Sequence, residues 1–246
     1  TISTGLFGLD GELRFLASLD TDYRKTADQI CVDLMNLFQL YHFRYEDVTD
    51  SILCSVVPPL NFMMEKALTR LLGKPPMVVG PGVKTGLNIR IDNPAQLGSD
   101  LLVGAIAAIA QYGAPCIIWD LGTATTLSVV DESGAFRGGA IMPGVATSFE
   151  SLTNRTSLLP RIRLEAPPHA IGTNSNDSMQ AGAVYGSAAM IDGMCDRVLA
   201  ELGCDSAPIV ATGGLSHEII PHCRHTIIYD DKLLLEGLRL IYNKNR

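Results

Sequence analysis

Asp120-Leu121-Gly122-Thr123-Ala124-Thr125-Thr126 follows the apolar run Cys116 to Trp119. A β-prone run that ends in an acid, a glycine and three hydroxyl residues suits an anion. Gly122 lets backbone approach that anion closely. The hydroxyls of Thr123, Thr125 and Thr126 and the turn amides can bind phosphate oxygens, and Asp120 can hold a cation that neutralises them. The pattern is neither a Walker A loop nor a dinucleotide GxGxxG. An ordinary strand-turn-strand connection is the bland alternative; phosphate binding fits the residue types better. Thr212-Gly213-Gly214 also follows an apolar run, Ile209 to Ala211. Its glycines admit a flat group such as an adenine against backbone, and equally suit a helix-entry turn. Paired with the Asp120 motif, they fit the second wall of a nucleotide cleft.

Gly98-Ser99-Asp100 opens an otherwise apolar helical stretch. Two readings of Asp100 stand. It is a helix-start carboxylate favoured by the macrodipole, or a general base aimed into a cleft between two halves of the chain. His217, His222 and His225 lie near Cys223, but their spacing matches no metal-ligand pattern, so a surface loop is expected. The six cysteines form no CxxC pair and read as buried, reduced thiols of a cytosolic protein.

The elements that must position these residues alternate. A hairpin is expected over Thr4 to Leu9 and Leu13 to Leu19, turning at Asp10-Gly11. Helical periodicity runs from Thr26 to Leu40, with Ile30, Leu34, Leu37 and Phe38 on one face. Ser51 to Val57 reads as a strand closed by Pro58-Pro59. Asn61 caps a helix through Leu72, and Met77 to Val79 is a short strand. A loop covers Gly80 to Asn93, and Leu97 to Tyr112 is an apolar helix. The strand Cys116 to Trp119 precedes a second hairpin, Leu127 to Asp131 and Phe136 to Ile141. Helices Val145 to Thr156, Met179 to Leu202 and Leu233 to Tyr242, with a strand at Ile209 to Ala211, complete an α/β chain.

The second hairpin repeats the first roughly 120 residues later. That spacing suggests two similar halves, 1–112 and 113–246. In the first half the counterpart of the Asp120 motif would fall before Thr1, so roughly ten residues with a corresponding phosphate motif are expected either to precede this sequence or to have been lost from the protein.

Composition narrows the function. The 246 residues are 47% hydrophobic and 18% charged, as in a folded chain rather than a disordered one. Nineteen basic against 26 acidic residues give a net charge of −7, which disfavours generic nucleic-acid or anionic-membrane binding. Mean hydropathy is +0.20, yet no apolar run reaches the roughly 18–20 residues of a membrane span.

Seven stretches then stand in a familiar order: Thr85-Gly86-Leu87-Asn88, Asp92-Asn93-Pro94, Gly98-Ser99-Asp100, the Asp120 motif, Gly138-Gly139-Ala140 to Pro143-Gly144, Ile171-Gly172 to Ser178-Met179-Gln180, and Ala211-Thr212-Gly213-Gly214. In that order the chain resembles the type III pantothenate kinases, also called Bvg accessory factors, over nearly its whole length. The resemblance implies the duplicated ribonuclease-H-like α/β fold of actin, Hsp70 and the acetate and sugar kinases, with two similar halves and a cleft between them. It implies ATP-dependent phosphorylation of pantothenate to 4'-phosphopantothenate, the first step of coenzyme A synthesis. A cytoplasmic homodimer is implied, using Mg2+ or another divalent cation and K+ or NH4+.

By the same resemblance Asp100 matches the base for the pantothenate hydroxyl, and Asp120 the monovalent-cation ligand. Gly122, Thr123, Thr125, Gly213 and Gly214 match the ATP site. Gly98, Ser99, Leu101, Ile91 and Ser175 match the substrate site, Ser175 standing where the family usually has a threonine. Three departures are visible. The family's opening Asp-x-Gly-Asn-Thr is not in this sequence. Leu101 stands in place of an arginine that would grip a carboxylate by bidentate, charge-assisted bonds. Ile91 stands in place of a tyrosine. These departures motivate a second expectation: a non-catalytic or altered-substrate homologue that binds nucleotide or a coenzyme A-pathway ligand in a regulatory role.

Overall fold

Two apolar runs flanking Asp10-Gly11 pair as an antiparallel hairpin, β1 (Ile2–Phe7) and β2 (Leu13–Leu19). The structure, a computed structural model, describes residues 1–156 and 159–246. They fall into two units. One comprises Thr1–Gly86, Gln96–Ala107 and Leu234–Arg246; the other comprises Leu87–Ala95 and Ala108–Leu233. The units therefore differ from a division of the chain at residue 112. The closing segment packs with the first unit, where Ile241 shares a core cluster with Val79 and Val103.

In the first unit, helix α1 (Ala27–Leu40) starts at a reciprocal cap. Thr26 Oγ1 accepts from the Gln29 amide at 3.3 Å, and Gln29 Oε1 accepts from the Thr26 amide at 2.9 Å. The periodic face Ile30, Cys31 and Leu34 buries against Leu60, Met64 and Ala67 of α2 (Pro58–Leu72). Here the sequence expectation needs correction. Pro58-Pro59 opens a helix rather than closing a strand, because a first-turn proline lacks only an amide that would have no helical acceptor. The expected strand over Ser51 to Val57 shrinks to β3 (Ile52–Leu53), parallel to β4 (Met77–Val78). Leu37 and Phe38 of α1 cover Phe15 and Ala17 of β2.

The Gly80-to-Asn93 loop contains one short strand, β5 (Asn88–Ile89). Helix α3 (Ser99–Tyr112) follows, its first turn in the first unit. The second unit continues with β6 (Cys116–Leu121), β7 (Ala124–Val130), β8 (Ala135–Pro143), α4 (Val145–Arg155), α5 (Ser175–Leu202), β9 (Ile209–Thr212), α6 (Ser216–Ile219) and β10 (Ile228–Tyr229). Helix α7 (Leu233–Asn245) ends the chain. Asn174 caps α5 by accepting from the Asp177 amide at 2.9 Å, which starts the helix a turn before Met179.

Six strands form one sheet in the order β10-β9-β6-β7-β8-β5. The β6–β7–β8 meander is antiparallel, and β9 and β10 add to β6 in parallel. This is the ribonuclease-H-like arrangement, with the first strand central. Ile117, Trp119 and Leu121 of β6 pack with Val184, Ala188, Ile191 and Cys195 of α5. The first unit repeats the pieces: the β1–β2 hairpin corresponds to β7–β8, and the parallel pair β3–β4 to β9–β10. A counterpart of β6 is not found among its described residues. No described helix is long and apolar enough to cross a membrane.

Candidate functional site

The Asp120 motif is a tight strand-to-strand turn at the carboxyl end of β6. Asp120 and Leu121 are the last residues of β6, and Thr125 and Thr126 already belong to β7. The turn proper is Gly122-Thr123, with the Gly122 amide donating to the Ala124 carbonyl at 3.2 Å. The start of α4 pins it. The Gly144 amide and the Thr147 hydroxyl both donate to the Thr123 carbonyl, at 3.1 and 2.9 Å. A Cβ on Gly144 would run into the Gly122 and Thr123 carbonyls, so only glycine fits this approach.

Strand register brings the second glycine motif to the same place. Asp120 on β6 stands opposite Thr212 on β9. Beyond Thr212 the chain turns at Gly213, whose φ is +95°. A Cβ there would lie 2.7 Å from Asp120 Oδ1 and from the backbone of Leu121. Gly214 has open space around it. Ser216, fully buried, closes the turn: its amide donates to the Gly213 carbonyl at 3.1 Å and its hydroxyl donates to the Thr212 carbonyl. Asp120, Gly122, Thr123, Gly213 and Gly214 thus gather at the carboxyl ends of β6 and β9, the edge at which open α/β sheets bind ligands. Thr125 is 1% exposed and its hydroxyl finds no hydrogen-bond partner among the described residues, which places an unsatisfied polar atom at the foot of this turn.

Asp100 lies in the first turn of α3 in the first unit. Its Oδ1 accepts from the Leu101 amide at 2.9 Å and crowds the Cα of Gly98, where a Cβ would sit 2.5 Å away. A side chain at Gly98 would make the Asp100 carboxylate turn from this position. Ser99 Oγ accepts from the Cys54 thiol at 3.2 Å. Burial pushes the Cys54 thiol up; the Ser99 bond opposes this and the nearby Asp100 charge adds to it. The thiol is therefore a neutral donor at pH 7.

Ile91 lies in the second unit, next to β5, where its side chain meets Gly138 of β8. Ser175, the first residue of α5, lines a cavity of about 860 Å3 between α4 and α5. Its walls are mixed, with Met142, Phe149 and Met179 beside Ser148, Ser178 and Ser187. The histidines at 217, 222 and 225 form no metal-ligand group with other described residues. His225 instead pairs with Asp196 at 2.7 Å.

Comparison with known proteins decides the family. The type III pantothenate kinase family model matches residues 2–197. A type III pantothenate kinase of Shouchella clausii is 39% identical over 246 residues, all of this chain and 96% of that protein. The corresponding protein of an Exiguobacterium species is 44% identical over 228 residues, 93% of this chain and 89% of its own length. The chain belongs to the type III pantothenate kinase family. A crystal structure from Campylobacter jejuni, described as of the Baf family, superposes with a TM-score of 0.56 at 18% identity, covering 85% of this chain and 88% of that one. That likeness shows the shared fold.

Within this family frame, Gly144 and Thr147 were assigned no role by their sequence pattern, although both hold the Thr123 turn. Pro143-Gly144 was visible as a motif; its contact with Thr123 depends on how α4 starts. The cavity wall of α4 and α5 was legible only in part: Gly172, Ser175, Ser178 and Met179 fall in a quoted motif, whereas Phe149, Gly186 and Met190 follow no spacing that marks a ligand.

Proposed function

We propose that this chain phosphorylates pantothenate from ATP, giving 4'-phosphopantothenate and ADP at the entry to coenzyme A synthesis. The pairing of the Gly122 and Gly213 turns at the carboxyl ends of β6 and β9 carries the nucleotide half of this reading. The full-length relatives, whose name states the reaction, supply the acceptor.

In this reading the Gly122-Thr123 turn receives the ATP phosphates and the Gly213-Gly214 turn receives the nucleoside, while the Thr125 hydroxyl, buried behind the turn, does not touch them. Ser175 and Ile91, with Gly98, Ser99 and Leu101, contact pantothenate. Asp100 is the base: it accepts the proton of the pantothenate hydroxyl as that oxygen attacks the γ-phosphorus, and the bond to the β,γ-bridging oxygen breaks to release ADP. Phosphoryl transfer has a loose transition state, so holding the phosphates and neutralising their charge supplies most of the acceleration.

The described residues contain no cluster of three or more His, Cys, Asp or Glu suited to a metal. A divalent cation would supply charge neutralisation at the nucleotide's phosphates. Asp120, at the edge of the phosphate turn, is the residue that would hold K+ or NH4+. Such cations neutralise phosphate charge when bound. The homodimer and the cytoplasmic setting rest on the resemblance, and the six free cysteines fit a reducing compartment.

A coupled ADP-release assay on the full-length gene product, with ATP, magnesium and potassium, tests the reading. Pantothenate-dependent turnover that falls when sodium replaces potassium supports it and the Asp120 assignment together. Nucleotide binding with no pantothenate-dependent ADP release refutes it.

A further inference from the structure

Two rings outside the assigned residues stand at the same end of the sheet as the Gly213 turn. β10 pairs in parallel with β9, Tyr229 opposite Ala211, two residues short of Gly213. His217 follows the turn directly, on α6. Their ring centroids are 6.3 Å apart with planes at 51°. Both are exposed, Tyr229 at 43% of its surface and the His217 side chain at 60%. An edge strand of two residues has no packing need for an exposed tyrosine at its carboxyl end. Opposed residues of paired strands project to the same face, so Tyr229 projects to the face that Ala211 buries against α5 and α6.

The surroundings hold this wall in place. The Asp230 amide donates to the Ala211 carbonyl at 2.9 Å, tying the end of β10 to β9. The Asp230 carboxylate accepts from the Tyr112 hydroxyl and from the Lys232 amide, both at 2.9 Å. Burial, reinforced by this bond, pushes the Tyr112 phenol up to about 12, so it remains a donor. His217 Nε2 lies 3.4 Å from a Glu218 carboxylate oxygen. An acceptor therefore stands beside the rings, suited to the exocyclic amino group of a purine.

We propose that His217 and Tyr229 form the aromatic wall on which the nucleotide base stacks, next to Gly213-Gly214, and that Glu218 favours a base bearing an amino group. The assignment rests on the nucleotide reading of the β6 and β9 turns and extends it to the base. Stacking on an aromatic ring is sequence-tolerant and is lost on truncation to alanine. Phosphate binding, held by the Gly122-Thr123 turn, does not depend on these rings.

Calorimetric titration of the full-length protein with ADP and, separately, with inorganic tripolyphosphate tests this. Tyr229→Ala and His217→Ala are expected to weaken ADP about 5- to 30-fold each, near the lower end for base stacking because the wall is exposed. Both are expected to leave tripolyphosphate within about twofold, and Tyr229→Phe to keep ADP affinity within about twofold. Unchanged ADP affinity in both alanine variants overturns the proposal, as does equal weakening of the two probes. His217→Ala, on an exposed helical turn, gives an independent result if the strand variant is unstable. A wild-type protein that binds ADP, with both alanine variants binding it as tightly as the wild type, refutes the base wall alone. A wild-type protein that binds neither probe refutes the nucleotide reading and this proposal with it.

Discussion

Replacing Gly213 by alanine places a methyl group 2.7 Å from Asp120 Oδ1 and from two backbone atoms of Leu121. The carboxylate can turn away; the β6 backbone cannot, because β6 is hydrogen-bonded on both sides, to β7 and to β9. Two costs add. A residue with a Cβ at a φ of +95° is strained by roughly 1–2 kcal/mol. Forcing a methyl group into a filled space costs typically about 1–3 kcal/mol. The total is roughly 2–5 kcal/mol, and at about 2–4 °C per kcal/mol for a chain of this length the melting temperature falls by roughly 4–20 °C. Relief of the clash moves β9 away from Asp120, so the KM for ATP is expected to rise as well. Gly214→Ala is the matched control: its Cβ meets nothing within 4 Å. Its melting temperature is expected to stay within about 2 °C of the parent, with any effect confined to nucleotide binding. Differential scanning calorimetry of both variants, followed by ATP titration in the ADP-release assay, reads the two effects. A Gly213→Ala protein that melts with the parent, or a Gly214→Ala protein that falls as far, refutes the packing described for this turn.

Asp100→Asn is expected to lower kcat at least about 100-fold while leaving the melting temperature near that of the parent; an unchanged kcat removes Asp100 as the base. Asp131, in the β7–β8 turn, accepts from the Ser133 hydroxyl at 2.6 Å, from the Ala135 amide at 3.1 Å and from Arg137 at 3.2 Å. Led by the Ser133 bond, these contacts hold its carboxyl down to about 2, below the usual 3.8. A depressed carboxylate contributes stability above about pH 4 and loses it as pH falls toward 2. Denaturant unfolding between about pH 7 and 2 is therefore expected to show a steeper acid loss for the parent than for Asp131→Asn, and parallel curves refute the assignment. Leu101→Arg is expected to lower the KM for pantothenate about tenfold or more, as one charge-assisted contact would, with the KM for ATP unchanged; a KM for pantothenate that does not fall removes Leu101 from the carboxylate's surroundings.

Elements with strong periodicity were legible. The face Ile30, Leu34, Leu37 and Phe38 of α1 is buried as its spacing requires, and both hairpins formed over their expected segments. Failures arose where two local signals conflict. Pro58-Pro59 both ends a strand and opens a helix, and contact of Leu60 with the α1 face decides for the helix. Strands β5 and β10 have two residues each. Nothing in so short a segment distinguishes it from loop; only its neighbour's unpaired edge makes it a strand.

The site divides in the same way. Glycines and carboxylates in short motifs stood out one at a time: Gly98, Asp100, Asp120, Gly122, Gly213. Their grouping did not, because it depends on which strands are neighbours. β9 lies beside β6 although β7, β8, α4 and α5 intervene in the chain, and the register Asp120 to Thr212 then sets Asp120 against Gly213. A glycine motif thus announces a close approach without naming what approaches. The same limit hid Thr147 and the pair His217 and Tyr229, residues of ordinary type whose meaning comes only from the turn beside them. For this fold, a substitution at a motif glycine tests the packing, and a substitution at an unremarkable neighbour tests the ligand. Gly213→Ala and Tyr229→Ala are therefore informative together: the first should disturb both stability and nucleotide binding, the second nucleotide binding alone.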